Sequence, residues 1–357
     1  MSRIDPEIDI LVHLRQSGPL SRQELHQKTG LRPNTVGRIA GQLIERGLVA
    51  EGAPRALGPG RPGVPLSIDE SKRGVVGLAI TPGSVEGCLL NLVGRRVGPV
   101  LSQQIHPGRT VIDAAEVVLR QLLGPEVVAL GVSTTGLLDA ETRRILFSSA
   151  VSGDSPVSAQ PIFDMAENVP LCFDNDMRAL ATQWQLTHPA NPCEDMLLVH
   201  IRDGAIGASL MIDGKPNRGC VVGGNELGHT CFPVGRDPVT LEAIFSTPFL
   251  HRIDPDTPGD LASRVAQFDS VDTAMVQSTE WLAMGLANAA NFVRPHRLVL
   301  ASDLTRHTRF YHALLDNMRR TLLSPVAQRM RIETWESSLP QAAEAAGWLA
   351  LNEVFYP

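Results

Sequence analysis

The sequence predicts an α/β protein preceded by a small helical head. This prediction rests on the pattern of apolar runs, on the helical spacing at the N-terminal end, and on chain length and composition. Short apolar runs rich in β-branched residues recur after residue 70, and helical patterns separate several of them. Strands that alternate with helices are typical of a sheet covered by helices. The first 50 residues instead carry apolar residues at helical spacing. With 357 residues, 43% of them apolar, the chain is long enough for two or three domains.

The net charge of −6 is unevenly distributed along the chain. Residues 1–73 hold 11 Lys and Arg against 8 Asp and Glu, a balance of +3, whereas the remainder holds 21 against 30, a balance of −9. A basic head on an acidic body favours nucleic-acid contact confined to the head. No apolar run approaches membrane-spanning length, the start is too acidic for a signal peptide, and the five cysteines are scattered. We therefore expect a cytoplasmic protein with reduced thiols and no membrane contact.

Three helices and a strand are predicted in the head. Apolar residues at helical spacing over 8–14 form the first helix, and Ser21 with Glu24 forms a capping box that opens the second. Pro33 suits the first turn of the third helix, and a short strand begins at residue 48. This order is typical of a winged helix-turn-helix, whose third helix enters the major groove by its N-terminal end.

Side chains suited to DNA lie at the start and on the polar side of the third predicted helix. Asn and Arg pair bidentately with adenine and guanine edges. We therefore expect DNA contacts from Arg32, Asn34, Thr35 and Arg38. The alternative is a three-helix module that binds protein.

The segment at 58–63, Gly-Pro-Gly-Arg-Pro-Gly, separates the head from the body in this interpretation. Its composition favours a flexible linker, so that a DNA-binding domain covers residues 1–70 and the body covers 71–357. In the alternative, Arg61, flanked by Gly and Pro, lies in a narrow minor groove, and we include it among the predicted DNA contacts.

In the body, the sequence predicts strands that alternate with helices. Strands are predicted at 74–80, 85–92, 127–132, 170–173, 196–201, 207–212 and 298–300. Helices are predicted at 111–123, 177–185 and 341–355, and helices dominate from residue 265 onward.

The stretch Gly-Gly-Asn-Glu-Leu-Gly-His at 223–229 carries a carboxylate and an imidazole three residues apart. On a helical turn, Glu226 and His229 would lie on one side and would bind neighbouring hydroxyls. The alternative is a Gly-rich turn in which the Glu only stabilises a helix start.

Several segments together resemble the ROK group of sugar kinases and sugar-responsive repressors. The segments lie at 130–139, 173–179, 204–214, 225–229, 241–243 and 285–291. Head plus body resemble the repressor branch of that group. The resemblance implies a two-lobed, actin-like ATPase fold of the ribonuclease H-like type, with a sugar bound between the lobes. The sugar-binding residues that it implies are Asn175, Asp176, Glu226, His229 and Glu242.

The positions that hold ATP in the kinases of this group are altered. Ala79 stands where the kinases have the Asp of Asp-x-Gly-Gly-Thr, and Pro82 removes a backbone donor nearby. Asp203 in the second phosphate-binding turn would repel a polyphosphate. The late Gly-Gly-Gly is Ala-Ser-Asp at 301–303. We therefore expect sugar binding without ATP binding; in a kinase, Asp176 would be the general base.

The structural zinc site of the group is also expected to be absent. That site uses a His and a Cys-x-Cys-Gly-x-x-Gly-Cys run, whereas only Cys231 follows His229 here, and Cys220 lacks the spacing. One Cys and one His cannot close a four-ligand zinc site. We therefore expect no metal and no cofactor.

Together these features predict a sugar-responsive, DNA-binding transcriptional regulator that is not an enzyme. The expected partners are an operator in double-stranded DNA, a sugar or sugar phosphate that releases the repressor, and further copies in a homodimer or homotetramer. The alternative is an active ATP-dependent sugar kinase with an appended DNA-binding head.

Overall fold

The computed structural model forms two compact units. The first unit contains Met1–Ala179 and Gln341–Pro357, and the second contains Leu180–Pro340. The head therefore packs with the first part of the body, and the predicted division at residue 70 stays a prediction. The described residues are 5–54, 63–106, 110–148, 151, 155–166, 169–188, 194–217, 219, 223–234, 237–269, 271–335 and 342–356.

The head has the predicted three helices and a small sheet. Its elements are α1 (Pro6–Ser17), β1 (Leu20–Ser21), α2 (Arg22–Thr29), α3 (Pro33–Glu45), β2 (Val49–Glu51) and β3 (Pro65–Ile68). The capping box is present: the backbone N–H of Ser21 donates to Glu24 Oε2 at 2.7 Å, and Ser21 Oγ accepts from the N–H of Glu24. Gly30 ends α2 in the left-handed conformation, as a C-terminal glycine often does.

The Gly/Pro-rich segment does not join the head to the body, which corrects the linker interpretation. Strands β2 and β3 pair antiparallel, with Val49 opposite Ile68 and Glu51 opposite Leu66. The segment therefore connects two strands of the head's own sheet, the position of the wing in a winged helix. Residues 55–62, with Arg61, lie outside the described residues.

The first unit contains a five-stranded sheet in the order β11-β7-β4-β5-β6. Its elements are β4 (Gly74–Thr81), β5 (Ser84–Asn91), β6 (Arg96–Gln104), α4 (Val111–Leu122), β7 (Val127–Thr134), β8 (Leu137–Asp139), β9 (Arg144–Phe147), β10 (Val157–Ser158), α5 (Gln160–Asp164), β11 (Leu171–Asn175) and the start of α6 (Asp176–Thr187). Because β4, β7 and β11 are parallel, their carboxyl ends share one edge of the sheet.

The second unit contains another five-stranded sheet, ordered β14-β13-β12-β17-β18, and most of the later helices. Its elements are β12 (Met196–Arg202), β13 (Ala205–Ile212), β14 (Lys215–Pro216), β15 (Cys231–Val234), β16 (Asp237–Thr240), α7 (Leu241–Ile244), α8 (Thr247–Ile253), α9 (Leu261–Ala266), α10 (Thr273–Val293), β17 (Arg297–Ala301), α11 (Thr308–Thr321), α12 (Ser324–Arg329) and β18 (Arg331–Trp335). One apolar core, with Phe245 and Phe310 fully buried, lies between the sheet and these helices. None of the helices in the described ranges has the length and apolar character needed to cross a bilayer.

The last helix, α13 (Ala342–Phe355), packs against the sheet of the first unit. It approaches at backbone distance: a Cβ on Gly77 would lie 1.9 Å from the carbonyl oxygen of Ala343, and one on Gly131 would lie 1.9 Å from that of Ala346. The sheet therefore needs glycine at both positions, and α13 is held tightly on β4 and β7.

Candidate functional site

A cluster of two carboxylates and an imidazole forms in the second unit. The segment that carries it is tied to β13, because Asn225 donates its N–H to the carbonyl oxygen of Ala208 and accepts from the N–H of Leu210. Leu227–His229 then makes one 3₁₀ turn. Gly228 packs against the β13 backbone, where a Cβ would lie 2.3 Å from the carbonyl oxygen of Ile206. This close approach sets the position of the residues on either side.

His229 lies between the two carboxylates of the cluster. Its Nε2 is 3.7 Å from Glu226 Oε2 and 3.8 Å from Glu242 Oε1. Glu242 belongs to the first turn of α7, which the Thr240 side chain caps. The side chains of His229 and Glu226 are 49% and 47% exposed, so a solute can reach them. The arrangement offers acceptors and a donor within a few ångströms, which suits vicinal hydroxyl groups.

The electrostatics of the cluster act mainly on Glu226. Partial burial raises the pKa of the Glu226 carboxyl, His229 opposes that rise, and the charge of Glu242 adds to it. A carboxyl in this state is more easily protonated than an isolated glutamate. Its loss of an acceptor by protonation therefore begins at a higher pH than in an isolated glutamate.

Asn175 and Asp176 lie at the carboxyl edge of the first unit's sheet, where β11 ends and α6 begins. Asn175 is only 2% exposed, its Nδ2 donates to the carbonyl oxygen of Gly136 at 3.0 Å, and its Oδ1 accepts from the N–H of Met177 at 2.8 Å. Asp176 is half-buried at the start of the helix. Asn175 therefore ties the loop after β7 to the start of α6, and Asp176 is the more accessible of the two.

The residues predicted to contact DNA surround the N-terminal part of α3. Val36 and Ile39 are buried in the head's core, which leaves Asn34 and Arg38 on the exposed face. Arg32 is exposed as the N-cap residue, and Thr35 is half-buried. Sequence reasoning missed an exposed glutamine, Gln42, whose Oε1 accepts from Arg38 Nη1 at 2.8 Å. The sequence feature that could have identified Gln42 is its position four residues after Arg38, which places both side chains on one face of the helix.

The altered nucleotide positions have structural roles of their own. The Asp203 carboxylate accepts from the N–H of Thr247 at 2.7 Å and from the Thr247 hydroxyl, so it occupies the N-terminus of α8. Ala79 is buried in β4, next to Ser133 of β7. Ser302 Oγ donates to the carbonyl oxygen of Ile201 at 2.7 Å.

Among the described residues near His229, one carries a thiol, Cys231. His229 directs its Nε2 toward two carboxylates, and the Sγ of Cys231 is 3.6 Å from the carbonyl oxygen of His229. Cys220 lies outside the described residues. In the part of the chain that the structure describes, no set of three or more His, Cys, Asp or Glu side chains is arranged to hold a metal.

Solved structures with the same fold include both a regulator and kinases. A ROK family transcriptional regulator, a homologue of the E. coli MLC protein, superposes with a TM-score of 0.79 at 19% identity, over 98% of this chain and 96% of that one. The ROK hexokinase of Thermus thermophilus gives a TM-score of 0.61 at 22% identity, over 79% of this chain and 99% of the hexokinase. The fold is therefore the actin-like α/β fold of these proteins.

The ROK family profile matches residues 107–353, more than half of the chain, and the chain belongs to the ROK family. The DNA-binding transcriptional dual regulator NagC of Escherichia coli is 24% identical over 226 residues, which cover 60% of this chain and 54% of NagC. The matched part of the chain thus spans about half the length of the first such relatives. The xylose repressor of Caldicellulosiruptor bescii matches at 21% identity over 93% of this chain and 91% of its own length.

Proposed function

We propose that this protein is a sugar-responsive transcriptional regulator that binds double-stranded DNA, and that a bound sugar or sugar phosphate releases it. The observation that carries the proposal is the exposed face of α3. Asn34, Arg38 and Gln42 lie on that face, in a head that has the helices and the paired strands of a winged helix. These side chains suit base edges in the major groove.

The wing supports the same interpretation of the head. The connection between β2 and β3 carries Arg61 between Gly and Pro, the setting in which an arginine enters a narrow minor groove. Arg32, exposed at the N-terminus of α3, is placed for a phosphate, and Thr35 for a base or phosphate. The names of NagC and of the xylose repressors agree with a DNA-binding regulator.

We assign sugar binding to two sets of residues. The cluster of Glu226, His229 and Glu242 provides the acceptors and the donor for neighbouring hydroxyls. In the first unit, Asp176 provides a further acceptor, and Asn175 positions the loop and helix start beside it. The sugar acts on DNA binding only to the extent that it binds one conformation more tightly than another.

We propose that the protein has lost phosphoryl transfer. The fold is shared with kinases, so the argument depends on particular residues rather than on the fold. Asp203 already occupies the N-terminus of α8 and brings a negative charge to a turn that should face phosphates. Ala79 offers no carboxylate for a magnesium ion. On the same grounds, we propose that the protein does not use ATP. Because Cys231 is the one cysteine that follows His229 in the sequence, we also propose that it holds no structural zinc.

We further propose that the regulator works as a homodimer or homotetramer. Two copies of α3 would then read two half-sites separated by about one turn of DNA or a multiple of it. A change in the separation of the two recognition helices weakens binding to such an operator.

The test is a binding assay with the full chain and DNA from its own upstream region. Fluorescence anisotropy at about 150 mM salt measures specific binding, because non-specific binding is weakened there. A panel containing xylose, N-acetylglucosamine and their phosphates should include a compound that lowers the affinity. The matched variant, Asn34→Ala with Arg38→Ala, should lose the DNA complex and keep sugar binding.

Two results would overturn the proposal. The first is the absence of any sequence-specific complex, since the exposed face of α3 would then serve another partner. The second is ATP-dependent phosphorylation of a sugar that Asp176→Asn abolishes, which would establish the kinase alternative.

A further inference from the structure

An arginine of the head lies between two aromatic rings of the C-terminal segment. The guanidinium carbon of Arg15, in the last turn of α1, is 4.7 Å from the ring centroid of Trp348 and 4.4 Å from that of Tyr356. Both rings are buried, at 5% and 6% exposure. A guanidinium between aromatic faces is attracted to both, and more strongly when water is excluded.

The two rings are held in place by the first unit itself. Trp348 packs on Gly94, where a Cβ would lie 2.0 Å from the ring. The Tyr356 hydroxyl donates to the carbonyl oxygen of Leu92 at 2.9 Å, and burial raises the pKa of that hydroxyl to about 12, so it remains a donor. The turn between β5 and β6 thus holds both rings in place. Arg15 therefore packs between two rings that are positioned by elements outside the head.

A second arginine fastens the head close to the start of β7. Arg73 donates through Nε to the carbonyl oxygen of Arg46, just after α3, at 3.1 Å. It also donates through Nη1 to the carbonyl oxygen of Pro125, just before β7, at 2.8 Å. These contacts attach the head to α13 and to the approach to β7, in addition to the exposed ion pair between Glu70 and Arg95.

The elements that hold the head, α13 and β7, also connect to the candidate sugar residues of the same unit. Strand β7 runs from Val127 to Thr134, and the loop after it accepts a hydrogen bond from Asn175 at Gly136. Helix α13 lies on β4 and β7 at backbone distance, through Gly77 and Gly131. Packed elements at such distances move together and do not deform separately.

We propose that Arg15, Trp348 and Tyr356 form a docking contact that sets the orientation of the head on the first unit and carries the sugar response to α3. The sugar response and the DNA binding in this proposal rest on the proposed function, whereas the docking contact does not. In this mechanism, a change at the edge with Asn175 reaches the head through β7 and α13. Breaking the contact should separate the sugar response from DNA binding and leave each binding activity in place.

The first measurement is the orientation of the head, without sugar or DNA. Spin labels at Gln27→Cys in α2 and Val117→Cys in α4 report one distance across the contact, since both positions are exposed. The background replaces Cys172, Cys193, Cys220 and Cys231 with serine, so that only the buried Cys88 remains. Arg15→Met keeps most of the side-chain volume and removes the cation. We expect a wider distance distribution in Arg15→Met than in the parent protein.

The control is Arg22→Met, because Arg22 pairs with Glu51 inside the head. This variant should keep the parent distribution. Should Arg15→Met lose the fold of the head, Tyr356→Leu removes one ring from outside the head and is expected to give the same widening. An unchanged distribution in a folded Arg15→Met or Tyr356→Leu protein overturns the docking contact.

The second measurement is the ratio of operator affinities with and without sugar. Arg15→Met should reduce that ratio by about fivefold or more, towards one, while the sugar affinity measured by calorimetry stays within about twofold of the parent value. Arg22→Met should keep the parent ratio. A parent-like ratio in Arg15→Met overturns the proposed coupling. If the parent protein itself binds neither operator nor sugar, the proposed function fails, while the distance measurement still decides the docking contact.

Discussion

A histidine with a buried ring nitrogen makes the stability of the second unit depend on pH. His200 lies on β12, on the face opposite Leu197, Val199 and Ile201, which belong to the apolar core. Within the described part of the chain, its Nε2 is buried and meets no hydrogen-bond partner. Burial lowers the pKa of His200 to about 3, and the charge of Arg202 adds to this effect. The imidazole is therefore neutral in the folded protein at any physiological pH.

The size of the effect follows from the difference between the folded and unfolded pKa of His200. Well above pH 6.5 the histidine is neutral in both states and does not contribute to the pH dependence of the free energy of unfolding. Below pH 6.5 the unfolded chain takes up a proton that the folded chain does not, so stability falls by up to about 1.4 kcal/mol per pH unit. With a folded pKa of about 3, the loss between pH 7.5 and pH 4.5 is about 3 kcal/mol.

The assay compares the parent protein with His200→Leu. Hydrogen exchange of the β12 and β13 amides at several pH values, corrected for the intrinsic exchange rate, gives the local free energy of opening. The decrease between pH 7.5 and pH 4.5 should be about 3 kcal/mol smaller in His200→Leu than in the parent. His312→Leu, at an exposed position of α11, is the matched control. An equal pH dependence in His200→Leu and the parent, or an NMR titration of the His200 ring near pH 6.5, would show that the folded protein does not keep this imidazole neutral.

Four further predictions concern α13, α3, α8 and the candidate sugar cluster. Gly77→Ala should destabilise the protein by about 3 kcal/mol in urea unfolding, because its Cβ meets the α13 backbone. Gly37→Ala in α3, where a Cβ meets open space, should stabilise the head by about 0.5–1 kcal/mol. Asp203→Ala should cost about 1 kcal/mol in the same assay, because the start of α8 at Thr247 loses its acceptor. The sugar affinity should fall as pH decreases through the raised pKa of Glu226, because protonation removes an acceptor, and calorimetry of Glu226→Gln should show a weaker pH dependence.

Each of these predictions has a clear contrary result. Equal stability changes in Gly77→Ala and Gly37→Ala would show that α13 does not rest on the sheet at backbone distance. An Asp203→Ala protein as stable as the parent would remove the capping role of that carboxylate. A pH dependence of sugar affinity that persists in Glu226→Gln would assign the titration to another group.

Local signals in the sequence predicted the elements that depend on neighbouring residues. The capping box at Ser21 and Glu24 and the glycine that ends α2 were recognisable because both act within one or two turns. The apolar strands β4, β7 and β12 were recognisable because burial on both faces requires a continuous apolar run. Strands β6 and β18 were missed, since exposed edge strands carry no such pattern.

Features that depend on contacts between residues far apart in the sequence could not be predicted from local patterns. Composition alone made the segment at 58–63 a linker, and only the pairing of β2 with β3 placed it inside the head. Asp203 was recognised as unfavourable for phosphate, but its bond to Thr247, 44 residues away, was not foreseeable. The cluster of Glu226, His229 and Glu242 was proposed from spacing and resemblance, and the distances around His229 come from the folded chain.

The amino-acid sequence by itself therefore determined the helical head, the α/β class of the body and the residue types available for sugar and DNA. These properties follow from periodicity and from side-chain chemistry, which short stretches of chain already contain. Only the packing of the folded chain brings Arg15 to Trp348 and Tyr356, places α13 on Gly77, and leaves the Nε2 of His200 without a hydrogen-bond partner among the described residues. Such contacts depend on how segments far apart in the chain pack together, and no local pattern records that packing.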